Sequence, residues 1–276
     1  MTLPSAFSAA AVSLLLQAPA QQPAPSPIPE PQQGQAGKDV IWMPTPESLV
    51  ERMLTMAQVG PRDVVYDLGS GDGRMVIAAA KRGAQAVGVE FNPDLVAFSE
   101  ERARQQGVGH AARFVKGDIF ETDFSSATVV TLYLLSALNM RLRPQLLKMR
   151  PGTRVVSHAF TMEDWAADEV SRADQRTAYL WIVPAEVQGA WRFELAGAGA
   201  YDVALTQRFQ RLEGTITLGT VEAALREPLL RGDSIRFGFV DARGAWLELS
   251  GTVAGPRITG SFRSDRQKGA FTASRR

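Results

Sequence analysis

The residues in this chain that could do chemistry cluster around one short stretch, "VYDLGSGDGR" at 65–74. Asp67 closes an apolar run. Gly69, Gly71 and Gly73 then alternate with Ser70 and Asp72. Glu90 ends a second apolar run, "AVGVE", and Asp118 ends a third, "ARFVKGD". A glycine-rich turn after a strand ordinarily cradles phosphate on its N–H groups. A dinucleotide fingerprint, however, reads G-x-G-x-x-G, and here the last of those positions is Arg74. Carboxylates at Asp67 and Asp72 would also repel a pyrophosphate.

A ligand that is cationic at one end reverses that sign. S-adenosylmethionine (SAM) carries an ammonium and a sulfonium, which would gain from Asp67 and Asp72. Its carboxylate suits the N–H groups of the loop, and its ribose diol suits an acid further along. Glu90 stands 21 residues past Gly69, placed to accept from both ribose hydroxyls. Phe91 follows and can pack on the adenine. Asp118 can accept from the adenine amino group, with the Ile119 N–H beside it. Any one of these acids alone would read as a solvated strand-end carboxylate. Three in succession, with the glycines, read as a binding site.

Elements that alternate in type must hold these residues. A helix starts near Thr45, which can cap it, with Pro46 at its first position and Leu49, Val50, Met53, Leu54 and Ala57 on one face. "DVVYDLG" is a buried strand and "RMVIAAAKRG" a helix closed by Gly83. "AVGVE" is a strand, Asn92-Pro93 opens a helix to about Gln106, and "ARFVKGD" and "ATVVTLYLL" are further strands. Ser136 to Met149 reads as helical despite Pro144, and "GTRVVSHAF" and "TAYLWIVPA" complete six strands. Near-continuous apolar strands between helices specify an α/β fold with a doubly wound, mostly parallel sheet. Its ligand belongs beyond the carboxyl ends of the strands.

The chain has 276 residues, enough for more than one domain. After about Pro184 it turns into short alternating segments split by glycines, such as "AWRFELAG", "SIRFGFVD" and "AWLELSGTV". These read as a smaller antiparallel β domain, a meander or partial barrel, interrupted at most by a helical "VEAALREPLL". Gly189 and Trp191 resemble weakly a calycin-type pattern, beside the plainer reading of a tryptophan filling a sheet core. Residues 1–37 combine an apolar run from Ala6 to Leu16 with a Gln/Pro/Ala-rich linker. They suggest export or membrane tethering, or alternatively a disordered leader, whereas SAM dependence argues for the cytoplasm. The expected domains are thus 1–37, 38–184 and 185–276.

Composition narrows the chemistry. Formal net charge is +1, so no global field favours nucleic acid or acidic lipid. There is no cysteine and only His110 and His158, which leaves no thiolate nucleophile and no multi-histidine metal site. Neither metal nor nucleic acid is expected.

"VYDLGSGDGR", "GVE" and "KGD" together resemble the first three motifs of the class I SAM-dependent methyltransferases, over roughly Val40 to Pro184. By that resemblance Asp67, Gly69, Gly71 and Gly73 line the methionine part of SAM, Glu90 the ribose and Asp118 the adenine. "VIWMPTPESLVERML", just before the first strand, is similar to the segment that precedes the sheet in seven-strand protein lysine methyltransferases. These include the mitochondrial ATP-synthase-subunit enzymes and their bacterial relatives. The resemblance makes Met43, Pro44 and Thr45 a lid over the methionine end, with Trp42 near the cofactor. A helix cap with a hydrophobic staple would use the same residues.

The acceptor side should follow the fourth strand. "TLYLL" at 131–135 is not the Asn-Pro-Pro-Tyr type of adenine or glutamine-amide methylases. Tyr133 is a candidate aromatic wall beside an acceptor nitrogen, or packs under the sheet. His158 is a candidate base at a strand end, or a hydrogen-bonded terminus. Asn139 is a further polar candidate, and Asp164 and Trp165 would rim the cleft. A protein lysine is the favoured acceptor. The alternatives are a small-molecule acceptor, a module that binds SAM without turnover, and a nicotinamide oxidoreductase that Asp67 and Arg74 disfavour.

Overall fold

The computed structural model describes residues 30–276. The expectations for the apolar run and for most of the linker lie outside those residues. Among the described residues, no helix is long and apolar enough to cross a membrane.

Seven strands form the first sheet: β1 (Val64–Leu68), β2 (Gln85–Glu90), β3 (Ala112–Lys116), β4 (Val129–Leu132), β5 (Arg154–His158), β6 (Glu169–Ala173) and β7 (Arg176–Ile182). Their order is β3-β2-β1-β4-β5-β7-β6. The first five run parallel, and β7 and β6 are antiparallel additions. All four residues of β4 are buried, as a central strand covered on both faces requires. Helices α1 (Glu47–Met56), α2 (Arg74–Lys81), α3 (Pro93–Gln105) and α4 (Ser136–Leu146) connect or cover these strands. In α1 the face formed by Leu49, Val50, Met53 and Leu54 is buried, and the helix packs across β5, β6 and β7. Asn92 caps α3 by accepting from the Asp94 N–H at 2.9 Å, with Pro93 at its first position.

Nine antiparallel strands form the second sheet: β8 (Gly189–Leu195), β9 (Gly199–Arg208), β10 (Arg211–Leu218), β11 (Val221–Ala224), β12 (Arg226–Arg231), β13 (Ser234–Val240), β14 (Trp246–Ala254), β15 (Arg257–Ser264) and β16 (Lys268–Arg275). Pairing of β8 with β16 curls the meander into a barrel with one seam, between β11 and β12. Trp191, Phe193, Phe237, Phe239, Phe262 and Phe271 fill its interior. Trp191 donates from Nε1 to the Val187 carbonyl at 2.8 Å, and the Arg275 guanidinium lies over its ring. The plainer reading of Trp191 therefore holds.

Two local expectations are corrected, and one strand had no counterpart in the sequence reading. "VEAALREPLL" is not helical. It forms β11 and β12, and Pro228 sits where the register of β12 shifts, on an edge strand that needs no ladder bond there. Glu169–Ala173 is a strand although it has no apolar run. It lies at the sheet edge and buries only Ser171. Thr45 does not cap α1. Pro46 holds that position without a side-chain bond, and the Thr45 hydroxyl is used elsewhere.

Candidate active site

An open cleft lies beyond the carboxyl ends of β1, β2, β3 and β4. Strand order reverses between β1 and β4, so this is the crevice where open α/β sheets bind ligands. Of the sequence-derived cofactor residues, Trp42, Pro44, Thr45, Asp67, Gly69, Ser70, Gly71, Asp72, Glu90, Phe91, Asp118 and Ile119 all line it. Gly73 does not. It is the N-cap of α2 at φ 75°, and a Cβ there would meet Phe114 at 2.7 Å and Ser99 at 2.8 Å.

Asp67 is buried at the end of β1 and accepts from Thr131 Oγ1 at 2.7 Å. Burial is the main cause that pushes its pKa up to about 7, and the anions Asp72 and Glu90 add to it. Among the described residues no cationic side chain pairs with it. A buried carboxylate whose charged neighbours are also anions can accept a cation brought by a ligand.

Asp72 behaves differently from the expectation. Arg74 holds it in a bidentate pair at 2.7 to 3.1 Å, and Arg102 adds a bond at 2.6 Å. Its charge is spent inside the protein, not on the ligand. Arg74, which broke the dinucleotide fingerprint, is its partner and also donates to the Thr45 carbonyl at 2.9 Å. Four of the loop amides are committed too. Those of Gly69 and Ser70 donate to the Val89 carbonyl, that of Gly71 to Glu90 and that of Gly73 to the Ser70 carbonyl. For these four amides the expected capture of a carboxylate is corrected, because the loop folds back onto the end of β2.

Glu90 accepts from Gly71 N through Oε2 and from Asn92 N through Oε1, both at 2.9 Å. These bonds fix the carboxylate at the cleft wall with lone pairs to spare for a diol. At the far end Asp118 pairs with Lys38, whose hydrogen bond holds its carboxyl below the usual range. Lys38 also lies 5.0 Å over the ring of Phe91, which is 47% exposed. Lys38 was missed in the sequence, where it is a lone cation at the edge of a linker. With it, the segment 37–45 roofs the cleft from end to end. The indole of Trp42 rests on Gly71, where any Cβ would strike it.

At the other end Tyr133 lines the cleft with Leu132, Leu134 and Leu138. Its ring stacks on His158 at 3.7 Å and on Phe160 at 6.2 Å. His158 is fully buried, and its Nδ1 lies 3.0 Å from Thr45 Oγ1. Burial first, then the charge of Arg176, lowers its pKa to about 4. The imidazole is buried behind Tyr133 and is not part of the cleft lining, so the structure does not bring it to the acceptor as the expected base. It holds Tyr133 and Thr45. Asn139 is buried away from the cleft and donates to the carbonyls of Phe160 and Thr161 at 3.3 Å. Asp164 and Trp165 do not rim it either. Asp164 pairs with Arg143 and Arg208, and Trp165 is buried against the barrel.

These residues fit SAM. Asp67 meets the requirement for a buried anion at the cationic end, Glu90 for the diol and Asp118 for the base. Ser70 Oγ, on the cleft lining, is buried without a partner.

Similarity to known proteins agrees. A family profile described as the ANTKMT methyltransferase domain matches residues 67–169. A protein-lysine N-methyltransferase of Saccharolobus islandicus is 45% identical over 151 residues, covering 52% of this chain and 94% of that protein. A Xenopus laevis lysine N-methyltransferase named for a subunit of ATP synthase is 36% identical over 130 residues. That match covers 47% of this chain and 57% of the relative. A solved structure described as an RNA methyltransferase from Salinibacter ruber, in complex with S-adenosyl-L-homocysteine, is 50% identical with a TM-score of 0.51. It covers 52% of this chain and 96% of that one.

Proposed function

The chain belongs to the SAM-dependent protein-lysine methyltransferase family, and from that premise we propose that it methylates the side-chain amine of a lysine in a protein acceptor. When bound, SAM supplies a methyl group on a sulfonium, open to in-line displacement by a neutral nucleophile. The residues of this chain do the rest. Asp67 would hold the ammonium, Glu90 the ribose hydroxyls and Asp118 the adenine, once Lys38 shares or yields it. Trp42 and Pro44 would roof the ligand and exclude water. Tyr133, held by His158, would form the wall beside the incoming nitrogen.

The observation that carries the reading is the polarity of the cleft. Its lining includes the acids Asp67, Glu90 and Asp118, and the stretch that carries Tyr133 adds Leu132, Leu134 and Leu138. An apolar end accepts the methylene stem of lysine and favours the neutral amine by desolvation. Alignment of donor and acceptor then provides most of the acceleration. The same apolar end would admit a small amine, so a small molecule is the second reading. SAM dependence favours a cytoplasmic place of action, which localisation of full chain tagged at its C-terminus would test.

Full-length protein incubated with methyl-labelled SAM and a cell extract tests the acceptor. Label in lysine, released by protease and resistant to nuclease, is the expected outcome. Label lost to nuclease, or confined to a small soluble product, overturns it.

A further inference from the structure

We infer that the tip of the β9–β10 hairpin is a positioning element for the acceptor side of the cleft. The barrel thus takes part in the reaction without touching substrate. The inference rests on the reading of Tyr133 and Phe160 as the acceptor wall.

The hairpin tip, Arg208 to Arg211, packs against the loop that follows β5. Phe209 stacks on Trp165 at 5.9 Å and lies under the guanidinium of Arg143 at 5.4 Å. Gln210 accepts from Trp165 Nε1 at 3.0 Å and donates to the Ala166 carbonyl at 2.6 Å. Arg208 donates to Asp164 at 3.1 Å, and Asp164 also pairs with Arg143 of α4. Three consecutive residues of the barrel therefore grip three consecutive residues of one loop. Gln207 stiffens the tip by donating to the Phe209 carbonyl at 2.7 Å.

That loop, 159–166, leads straight to the cleft. It begins behind His158, on which Tyr133 stacks, and it carries Phe160, which also stacks on Tyr133. Asn139 fixes its other flank through the Phe160 and Thr161 carbonyls, and Arg143 donates to the Met162 carbonyl at 3.2 Å. Its backbone is strained. Ala159 and Glu163 sit at φ 65° and 52°, and Phe209 across the joint at φ 55°. Non-glycine residues keep such conformations only where their surroundings over-determine them. Here the hairpin provides part of those surroundings. The Saccharolobus relative has 94% of its length aligned to about half of this chain, which leaves no room in it for such a barrel. The clamp is thus a feature of this chain's own architecture.

The test uses the full chain with Phe209→Ala and Gln210→Ala, separately and together. Gln210→Glu retains an acceptor for Trp165 Nε1. Phe262→Leu, in the barrel core away from the joint, controls for general loosening. Amide exchange is read first, because it needs no acceptor. Exchange in 157–166 should rise about tenfold in the double variant, with β1 and β2 unchanged. The affinity for SAM should stay within about twofold, while methyl transfer to poly-L-lysine loses about tenfold in kcat/KM, chiefly through the acceptor. Gln210→Glu should recover part of that loss. Unchanged exchange in 157–166, or equal changes in Phe262→Leu, overturns the inference. Faster exchange with no transfer to any lysine by the wild type would instead remove the acceptor reading and leave the clamp standing.

Discussion

Asp67 is a carboxylate withdrawn from water with no cation of the protein beside it. Its pKa near 7 stands well above the ordinary 3.8, so the folded chain holds this proton more tightly than the unfolded one. The stability it contributes is complete below about pH 4 and is lost as pH rises through 7, on the order of 4 kcal/mol in all. Asp67→Asn should therefore melt higher than wild type at pH 8 while losing SAM affinity at least about tenfold. Calorimetric titration should also find that wild-type affinity rises about tenfold per pH unit up to 7 and then levels off. Affinity flat from pH 5.5 to 8 would remove Asp67 as the ammonium partner. His158 has the opposite sign. Its pKa of about 4, below the ordinary 6.5, makes its stabilisation complete above 6.5 and lost as pH falls through 4, on the order of 3 kcal/mol. His158→Gln should flatten that acid limb in thermal melts and leave the shape of the rate profile from pH 7 to 9 unchanged. Loss of an acid-side fall in kcat/KM that the wild type shows would restore His158 as a base. The acids were legible in the sequence because strand ends place them. The quenching of Asp72 was not, because Arg102 lies thirty positions away and only folding brings it in.

At the scale of elements, the segment 37–45 has no regular structure, yet it completes the cleft. Gly71 lets it do so. At φ 54° under the Trp42 indole, the position has neither the backbone freedom nor the space for a side chain. Gly71→Ala should push Trp42 off the loop and disturb the bond to Glu90, with a loss of SAM affinity of about a hundredfold. Trp42→Ala should cost less, about tenfold, because the loop keeps its shape. The order of these two losses, read by titration, is the check, and the reverse order would show that the roof matters more than the loop. The parallel strands and their helices could be read from the sequence because β1 and β2 are apolar runs bounded by Gly, Asn and Pro and β4 is a near-continuous apolar one. β6 could not, since an edge strand that buries one serine has no pattern to detect. The paired β11 and β12 imitated a helix because "VEAALREPLL" happens to space its apolar residues that way. Its fate was decided by partners, Leu218 and Arg236 among them, far from it in the sequence or across a turn.

At the scale of the whole molecule, we propose that the two halves, divided near Pro184 in sequence, unfold as one. Interfaces between domains are commonly loose and polar, but this one includes backbone packed on backbone. Gly232, in the turn between β12 and β13, sits at φ 60°, and a Cβ there would lie 3.0 Å from the Gly152 Cα. The Gly232 carbonyl accepts from Ala185 N at 2.8 Å, and Gly152 N donates to the Val183 carbonyl at the same distance. The chain is thus pinned on both sides of its crossing from one sheet to the other. With the hairpin clamp, this makes two separate grips. Calorimetry of the wild type should give a single transition whose van't Hoff and calorimetric enthalpies agree. Gly232→Val puts a branched side chain into a left-handed turn and against the Gly152 backbone. It should cost about 2 to 4 kcal/mol and split the transition in two, the barrel melting apart from the sheet that carries the cleft. Two transitions already present in the wild type would make the barrel an independent passenger. The loss of methyl transfer in Phe209 variants would then have to come from the hairpin alone, since a domain that melts separately cannot hold the loop 159–166 in its strained form through the rest of its fold.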